Sequence, residues 1–243
     1  MKTKKVFLLL LIIPVIGYTQ EFRKWGVGVG YRTTSIVGDS VRPFEISFRY
    51  RISDKHTVQV YAPLWLKKYK HNNQLNKPDF MKQEHYDIFN HTWTHSLWGV
   101  GVGYDYSFYS YSYFNFFAGV SADFQEYKYK EDYHNIDYKL AHAVYNRPTV
   151  YEDYYKEEVI TYYWNKTNGI NLIPNTGIRF STSKITAEAK INICLSYLSK
   201  SARYSSKLKN ILYEEWNTWD IFYPKSNEVK VHPNLSLVLS YYF

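Results

Sequence analysis

Charged residues that recur at every second position are the first feature of this sequence that carries chemistry. In an extended chain, alternate side chains point to the same side, so charges spaced in this way share one face. That face collects both acids and bases, namely Glu45, Arg49, Arg51, Asp105, Asp123, Arg179, Glu188 and Lys190. A buried charge without a partner is costly, so enclosing this face predicts a structural network of ion pairs.

The histidines and serines do not indicate a metal centre or a hydrolytic site. His91 and His95 have the spacing of one helical turn, but Trp93 and the glycines that follow favour an extended segment. His95 and Ser96 are adjacent, so on a strand they point to opposite faces and do not form a base and nucleophile. We expect no catalytic residue, no metal site and no cofactor. An enzyme that acts on lipids is an alternative.

The elements that position these residues are predicted to be β-strands. Apolar or aromatic residues alternate with polar residues or glycine in eight segments, most of them near the roughly 9–11 residues of a tilted strand that crosses a membrane. The segments lie near residues 25–31, 44–52, 58–66, 98–106, 114–125, 170–180, 185–197 and 235–243. The fold class is therefore all-β.

The connections between these segments alternate in length. Short ones, near residues 53–55, 107–112 and 181–183, follow the second, fourth and sixth segments. The other connections are longer, on the order of 9, 30, 40 and 30 residues. Short turns at one end and long loops at the other are typical of a transmembrane antiparallel up-and-down β-barrel. With eight strands, its lumen is only wide enough to be filled by side chains.

The composition agrees with a membrane barrel. The chain has 27 Tyr, 14 Phe and 7 Trp, residues that favour strands and membrane–water interfaces. One parity assignment places aromatic residues at both ends of the strands, as two girdles. The single Cys194 excludes an intramolecular disulfide.

Residues 1–19 have the pattern of a cleaved signal peptide. Three lysines precede an apolar run from Val6 to Ile16, which is shorter than the roughly 20 residues of a spanning helix. Cleavage is expected before Gln20, so that residues 20–243 form the barrel with long extracellular loops. An uncleaved N-terminal anchor is the alternative.

The chain from Trp25 to Phe243 resembles the small bacterial outer-membrane barrels, the class of the OmpA membrane domain and the OmpX-like proteins. The resemblance rests on strand alternation, on loop alternation and on the aromatic end of the last segment. It implies a location in the bacterial outer membrane and insertion by the barrel-assembly machinery. In that class an aromatic last strand serves as the assembly signal, a role that the resemblance implies for Phe243. A plain girdle residue is the alternative.

Two features leave details of the barrel open. Pro63 and Pro174 lie inside proposed strands, where each removes a hydrogen-bond donor, and Pro174 predicts a bulge. A ten-stranded barrel would pair residues 136–145 with 150–164 through Asn146-Arg147-Pro148. Charges on both faces of that region favour eight strands, with this region as a hairpin above the membrane.

The long loops carry the candidate binding residues. Basic residues at the start of the second and fourth loops are placed to contact lipopolysaccharide phosphates, namely Lys67, Lys68, Lys70, Lys200 and Arg203. The third loop is rich in tyrosine, which suits contacts with an extracellular protein or glycan. The formal charge of +8 is spread along the chain, so nucleic acid is not expected as a partner.

These observations predict a non-enzymatic outer-membrane barrel with a structural or surface-interaction role, in contact with outer-membrane lipid and lipopolysaccharide. A narrow channel or an envelope-assembly accessory factor is the first alternative. A lipid-modifying outer-membrane enzyme is the second.

Overall fold

A computed structural model describes residues 23–37, 41–77, 85–140, 154–210 and 215–243. The described residues form eight antiparallel strands that close into a barrel, each paired with the next and β1 paired with β8. The strands are β1 (Trp25–Arg32), β2 (Phe44–Arg51), β3 (His56–Lys77), β4 (His85–Tyr111), β5 (Phe114–Leu140), β6 (Tyr154–Ser181), β7 (Ile185–Asn210) and β8 (Glu215–Tyr242). The prediction of an all-β up-and-down barrel with eight strands is confirmed. The predicted signal peptide lies outside the described residues.

The two faces of the barrel wall have opposite polarity. Apolar side chains point outward, as at Val29, which is 61% exposed, whereas Arg49 on the lumen side is fully buried. Aromatic pairs mark both ends of the outer face, with ring centroids 4.4 Å apart for Trp25 and Tyr50 at one end and 5.8 Å apart for Trp98 and Phe124 at the other. A charged interior inside an apolar, aromatic-girdled exterior is the architecture of a bacterial outer-membrane barrel.

The strands have very different lengths. β1 and β2 have 8 residues each, whereas β3 to β8 have between 22 and 28. The six long strands continue past the outer aromatic rim as a sheet that we call the extension. Most of the predicted long loops are therefore wrong, since their residues belong to strands. Above the rim neither face meets lipid, so the apolar alternation that marks a membrane strand stops although the ladder continues.

The alternative of a ten-stranded barrel is also wrong. Residues 136–140 and 154–158, which were to form two additional strands, pair with each other as the upper parts of β5 and β6. The tripeptide Asn146-Arg147-Pro148 lies outside the described residues. The two segments do pair with each other, as the ten-stranded barrel required, but they do so as the upper ends of β5 and β6 and not as separate strands.

The two prolines interrupt pairing without shifting it. β6 pairs with β7 at Leu172 and again at Asn175 in the same register, so the bulge predicted at Pro174 is wrong. β3 likewise pairs with β4 on either side of Pro63 without a shift. The ladders shift instead between Ser107 and Tyr109 and between Lys200 and Ala202.

Short connections close the end opposite the extension, as predicted. They comprise residues 52–55, 112–113 and 182–184. Ser112 has a φ of 54°, the left-handed conformation that a two-residue turn requires and that glycine adopts most easily. Among the described residues, the structure has no helix long and apolar enough to cross a membrane.

The extension has an opening in its side, because β1 and β2 end at the rim. β3 pairs with β2 only as far as Leu64, and β8 pairs with β1 only from Ser236 onward. At the rim, three inter-strand spacings of about 4.8 Å separate β3 from β8, so the gap begins there with a width of roughly 14 Å. We call this gap the side opening.

Candidate functional site

The lower lumen, near the short turns, holds one cluster of buried ion pairs. Glu188 accepts from Arg49 Nη1 at 2.5 Å and from Arg179 Nε at 2.6 Å. Lys190 Nζ lies 3.0 Å from an oxygen of Asp105 and 3.2 Å from one of Glu188. Three cations and two anions from β2, β4, β6 and β7 therefore cross-link the barrel wall.

A second cluster lies higher in the lumen. The Arg32 guanidinium bridges Glu45 at 2.6 Å and Asp123 at 3.0 Å. Asp123 also accepts hydrogen bonds from Tyr61 at 3.2 Å and from Asn171 at 2.5 Å. This cluster has two anions and one cation. Its excess negative charge balances the excess positive charge of the lower cluster.

The predicted network is thus present, with one residue misplaced and one missed. Arg51 lies apart from the ion pairs, with its guanidinium carbon 3.6 Å from the centre of the Tyr242 ring. Arg32 takes part instead. Its position was detectable from the sequence, because Arg32 has the same parity as Gly26, Gly28 and Gly30 on the lumen face of β1.

An apolar plug closes the lumen above the ion pairs. The connection between β1 and β2 folds inward, and its Ile36 and Val41 pack against Leu97, Tyr127 and Leu198 from the barrel wall. All five side chains are at most 8% exposed. Gly169 makes room for Ile36, since a Cβ there would stand 3.1 Å from Ile36 Cγ2.

Above the plug, the inner side of the extension is lined with rings. We call this surface the aromatic face; it comprises Tyr69, Phe89, His91, Trp93, His95, Tyr129, Tyr133 and Tyr163. Tyr69 and Trp93 stack with centroids 5.3 Å apart, and His91 lies 4.5 Å from Trp93. The segment is extended, as predicted, so His91, Trp93 and His95 lie on one face.

Polar groups are interleaved with these rings. Glu131 lies 2.6 Å from His91 Nε2 and accepts a hydrogen bond of 2.7 Å from the Tyr129 hydroxyl. Burial and the carboxylate of Glu131 raise the pKa of Tyr129, so the phenol stays protonated. Burial and nearby Lys67 lower the pKa of His95, whose Nδ1 lies 2.7 Å from the Tyr127 hydroxyl. Ser96 points to the opposite side of the sheet from His95, as predicted.

The basic residues predicted to contact lipopolysaccharide are divided between the two faces. Lys67 lies on the aromatic face, with Nζ 4.5 Å from the Tyr69 ring centre, and Lys200 lies on the same side in an ion pair with Glu228. Lys68, Lys70 and Arg203 point outward. These residues were predicted to lie together in loops. They belong to strands instead, in which successive side chains point to opposite faces of the sheet, so the basic residues are divided between the two faces. Contact with lipopolysaccharide stays a prediction.

Three lysines that the sequence did not single out join the outward set. We call the whole group the basic belt; it comprises Lys68, Lys70, Lys128, Lys130, Lys166 and Arg203. Lys68, Lys130 and Arg203 lie in one continuous row of paired strands. Just above the outer rim, Lys128 at 2.6 Å and Lys166 both contact Glu126. Their hydrogen bonds lower the pKa of that carboxyl to about 2.

Phe243 is 54% exposed at the seam between β1 and β8, where its amide donates to the Trp25 carbonyl at 2.9 Å. Its role as an assembly signal stays a prediction.

A groove of about 720 Å³ runs along apolar outward residues such as Phe48, Val102 and Leu172. That groove faces lipid, so we do not regard it as a ligand site.

Comparison with known proteins yields similarity of fold alone. No family model matches the chain. No curated protein matches it either.

Several solved structures of outer-membrane proteins are similar to the chain. Ail, the attachment invasion locus protein of Yersinia pestis, shares 11% identity over 92% of this chain and 100% of its own, with a TM-score of 0.36. CarO of Acinetobacter baumannii shares 8% over 93% and 100%, with a TM-score of 0.37. A major outer membrane protein from Thermus thermophilus shares 7% over 92% and 100%, with a TM-score of 0.36. The assignment of this chain to the eight-stranded barrel fold rests on its own strand register and polarity.

Proposed function

We propose that the chain is a non-enzymatic, non-conducting outer-membrane barrel that acts at the cell surface through its extension. One observation carries this proposal. The lumen is blocked at two levels, by the ion pairs and by the plug above them. The aromatic face above the plug keeps its polar groups and rings partly accessible. A surface-interaction role uses the part of the molecule that is open, and a channel would need the part that is filled.

The closed lumen is tested by conductance in planar bilayers. We expect the purified barrel to give no steady channels, because the buried Arg49–Glu188 pair and the plug block the path. Steady open channels of nanosiemens size would overturn the non-conducting assignment and favour the channel alternative.

The orientation of the extension is tested by labelling intact cells with a membrane-impermeant maleimide. The only cysteine, Cys194, is buried on the lumen side, so the wild-type protein serves as the unlabelled control. Thr218 is exposed on the outward side of β8 in the extension. We expect Thr218→Cys to label on intact cells, and labelling only after lysis would contradict a surface role.

The outward basic belt suits the phosphates of lipopolysaccharide, because it lies directly above the aromatic rim where the headgroups begin. Replacing both Lys128 and Lys166 by Gln is expected to weaken binding of lipid A. The double variant Lys207→Gln with Lys209→Gln, on the outward side of β7 but farther from the rim, is the matched control. Equal binding by both double variants would remove the belt from the proposal.

The non-enzymatic part is tested on the lipid itself. Deleting the gene is expected to leave the mass of lipid A unchanged. A changed mass that wild type restores, and that His95→Ala does not, would favour the lipid-modifying alternative.

A further inference from the structure

The side opening leads from the outer rim, above the plug, to the aromatic face. Its base lies at the outer rim, where Tyr31 and Phe44 pair across β1 and β2. One edge is β3, which places Tyr69 beside Trp93 of β4. The other is β8, whose inward Trp219, at 49% exposed, and Tyr223, at 51%, have no strand beyond them among the described residues.

The chemistry of the aromatic face suits sugar rings. The rings of Trp93 and Tyr69 are half-buried and offer apolar area to the C–H side of a pyranose. Glu131, His91 and Tyr129 offer acceptors and donors to its hydroxyls. These groups lie on the same side of neighbouring strands β3, β4 and β5. Rings and hydroxyl partners are therefore presented together.

The direction of the opening selects the source of the sugar. An opening in the wall at rim height faces the layer of molecules anchored in the same leaflet. Its β3 edge carries Lys67, Lys68 and Lys70, which match the phosphate and carboxylate groups of an anionic saccharide. Lys67 points to the aromatic face, and the other two point outward.

We propose that the aromatic face binds the saccharide portion of lipopolysaccharide, which enters through the side opening from the surrounding outer leaflet. This inference rests on the proposed surface role and deepens it. The basic belt holds lipid A phosphates from outside the barrel, and the aromatic face holds the sugars that continue from them.

The experiment measures binding of two separated halves of lipopolysaccharide to the detergent-solubilised full-length barrel by calorimetry. One probe is the saccharide released by mild acid hydrolysis, and the other is lipid A. We expect Trp93→Ala to bind the saccharide about tenfold or more weakly, as for a central aromatic contact. Lipid A binding should be unchanged in this variant.

Two further variants make the result specific. Trp164→Ala removes an outward tryptophan from the adjacent row of β6 and should leave saccharide binding intact. Trp93→Phe keeps a flat ring and should retain most of the affinity. Each variant is first checked for the heat-modifiable migration of a folded barrel, so that loss of binding reports on the site.

The outcomes separate the two proposals. Wild-type protein that binds lipid A but not the saccharide overturns the present inference and leaves the proposed function standing. Equal losses in Trp93→Ala and Trp164→Ala overturn the inference as well. Wild-type protein that binds neither probe overturns the inference. If the Thr218→Cys variant also fails to label on intact cells, the surface role itself is overturned.

Discussion

At the scale of single residues, Glu188 pairs with more cations than any other acid in the described part of the lumen. It faces Arg49, Arg179 and Lys190, and its side chain is fully buried. Removing its charge leaves three buried cations to share Asp105. The cost of breaking such a buried pair is about 3–5 kcal/mol.

The first prediction concerns this carboxylate. We expect Glu188→Gln to lower the free energy of unfolding by about 3–5 kcal/mol, measured by urea denaturation in detergent micelles. The matched control is Glu228→Gln, which removes a glutamate that also faces two lysines but is about one-third exposed. That change should cost at most about 1 kcal/mol. Equal losses of unfolding free energy in the two variants would mean that burial does not determine how much these ion pairs stabilise the barrel.

The second prediction concerns pH and Glu126. Its pKa is lowered from 4.5 to about 2 in the folded barrel, so the ionised form stabilises the fold. This contribution is complete above pH 4.5 and is lost as the pH falls toward 2. We expect wild type to be more stable than Glu126→Gln at neutral pH and the difference to shrink across this window. A constant difference between the two proteins would contradict the assignment.

At the scale of elements, the extension is a continuation of hairpins whose register does not change at the rim. Lys128 of β5 is directly opposite Lys166 of β6. A two-residue Asn-Gly turn between them would therefore close the hairpin at that height. The membrane-spanning parts of both strands lie below this point.

The third prediction follows from that register. We expect replacement of residues 129–165 by Asn-Gly to leave a barrel that still inserts and still migrates faster without boiling on a denaturing gel. Its contacts with lipid and its lumen ion pairs remain intact. An extension that is needed for insertion would instead yield a protein with no migration shift.

The strand cores were predictable, whereas their continuation was not. Between residues 114 and 125 one face meets lipid and the other the lumen, so polarity alternates with the pleat. Beyond Glu126, Tyr127 and Lys128 lie on opposite faces and both are amphipathic, so the two-residue period fades. Enrichment in tyrosine, threonine and tryptophan was the remaining strand signal there.

At the scale of the whole molecule, the wall is uneven around its circumference. β1 and β2 have 8 residues each, whereas β6 has 28. Fewer ladder hydrogen bonds must break to free the short strands. On the opposite side of the barrel, β5 and β6 each have long ladders with both neighbouring strands.

The fourth prediction is a gradient of hydrogen exchange. We expect backbone amides of β1 and β2 to exchange faster than those in the membrane-spanning parts of β5 and β6, measured by mass spectrometry on the folded barrel. Uniform protection around the wall would show that the lumen ion pairs, rather than ladder length, set local stability.

The membership of the lumen network was predictable, but its partners were not. Parity placed seven of the eight predicted charges among the ion pairs, since every second residue faces inward. Arg49 and Glu188 are 139 residues apart in the chain, and only closure of the wall brings them together. The position of each strand around the barrel therefore decides which charges form ion pairs, and a single sequence contains no signal for that position.

The plug also constrains the order of events in assembly. Ile36 and Val41 belong to the first connection of the barrel, yet they pack against Leu97 of β4, Tyr127 of β5 and Leu198 of β7. The complete set of plug contacts therefore requires β7 as well as β4 and β5. A barrel that still lacks its seventh strand cannot be sealed in this way, so we expect the lumen to close late in assembly.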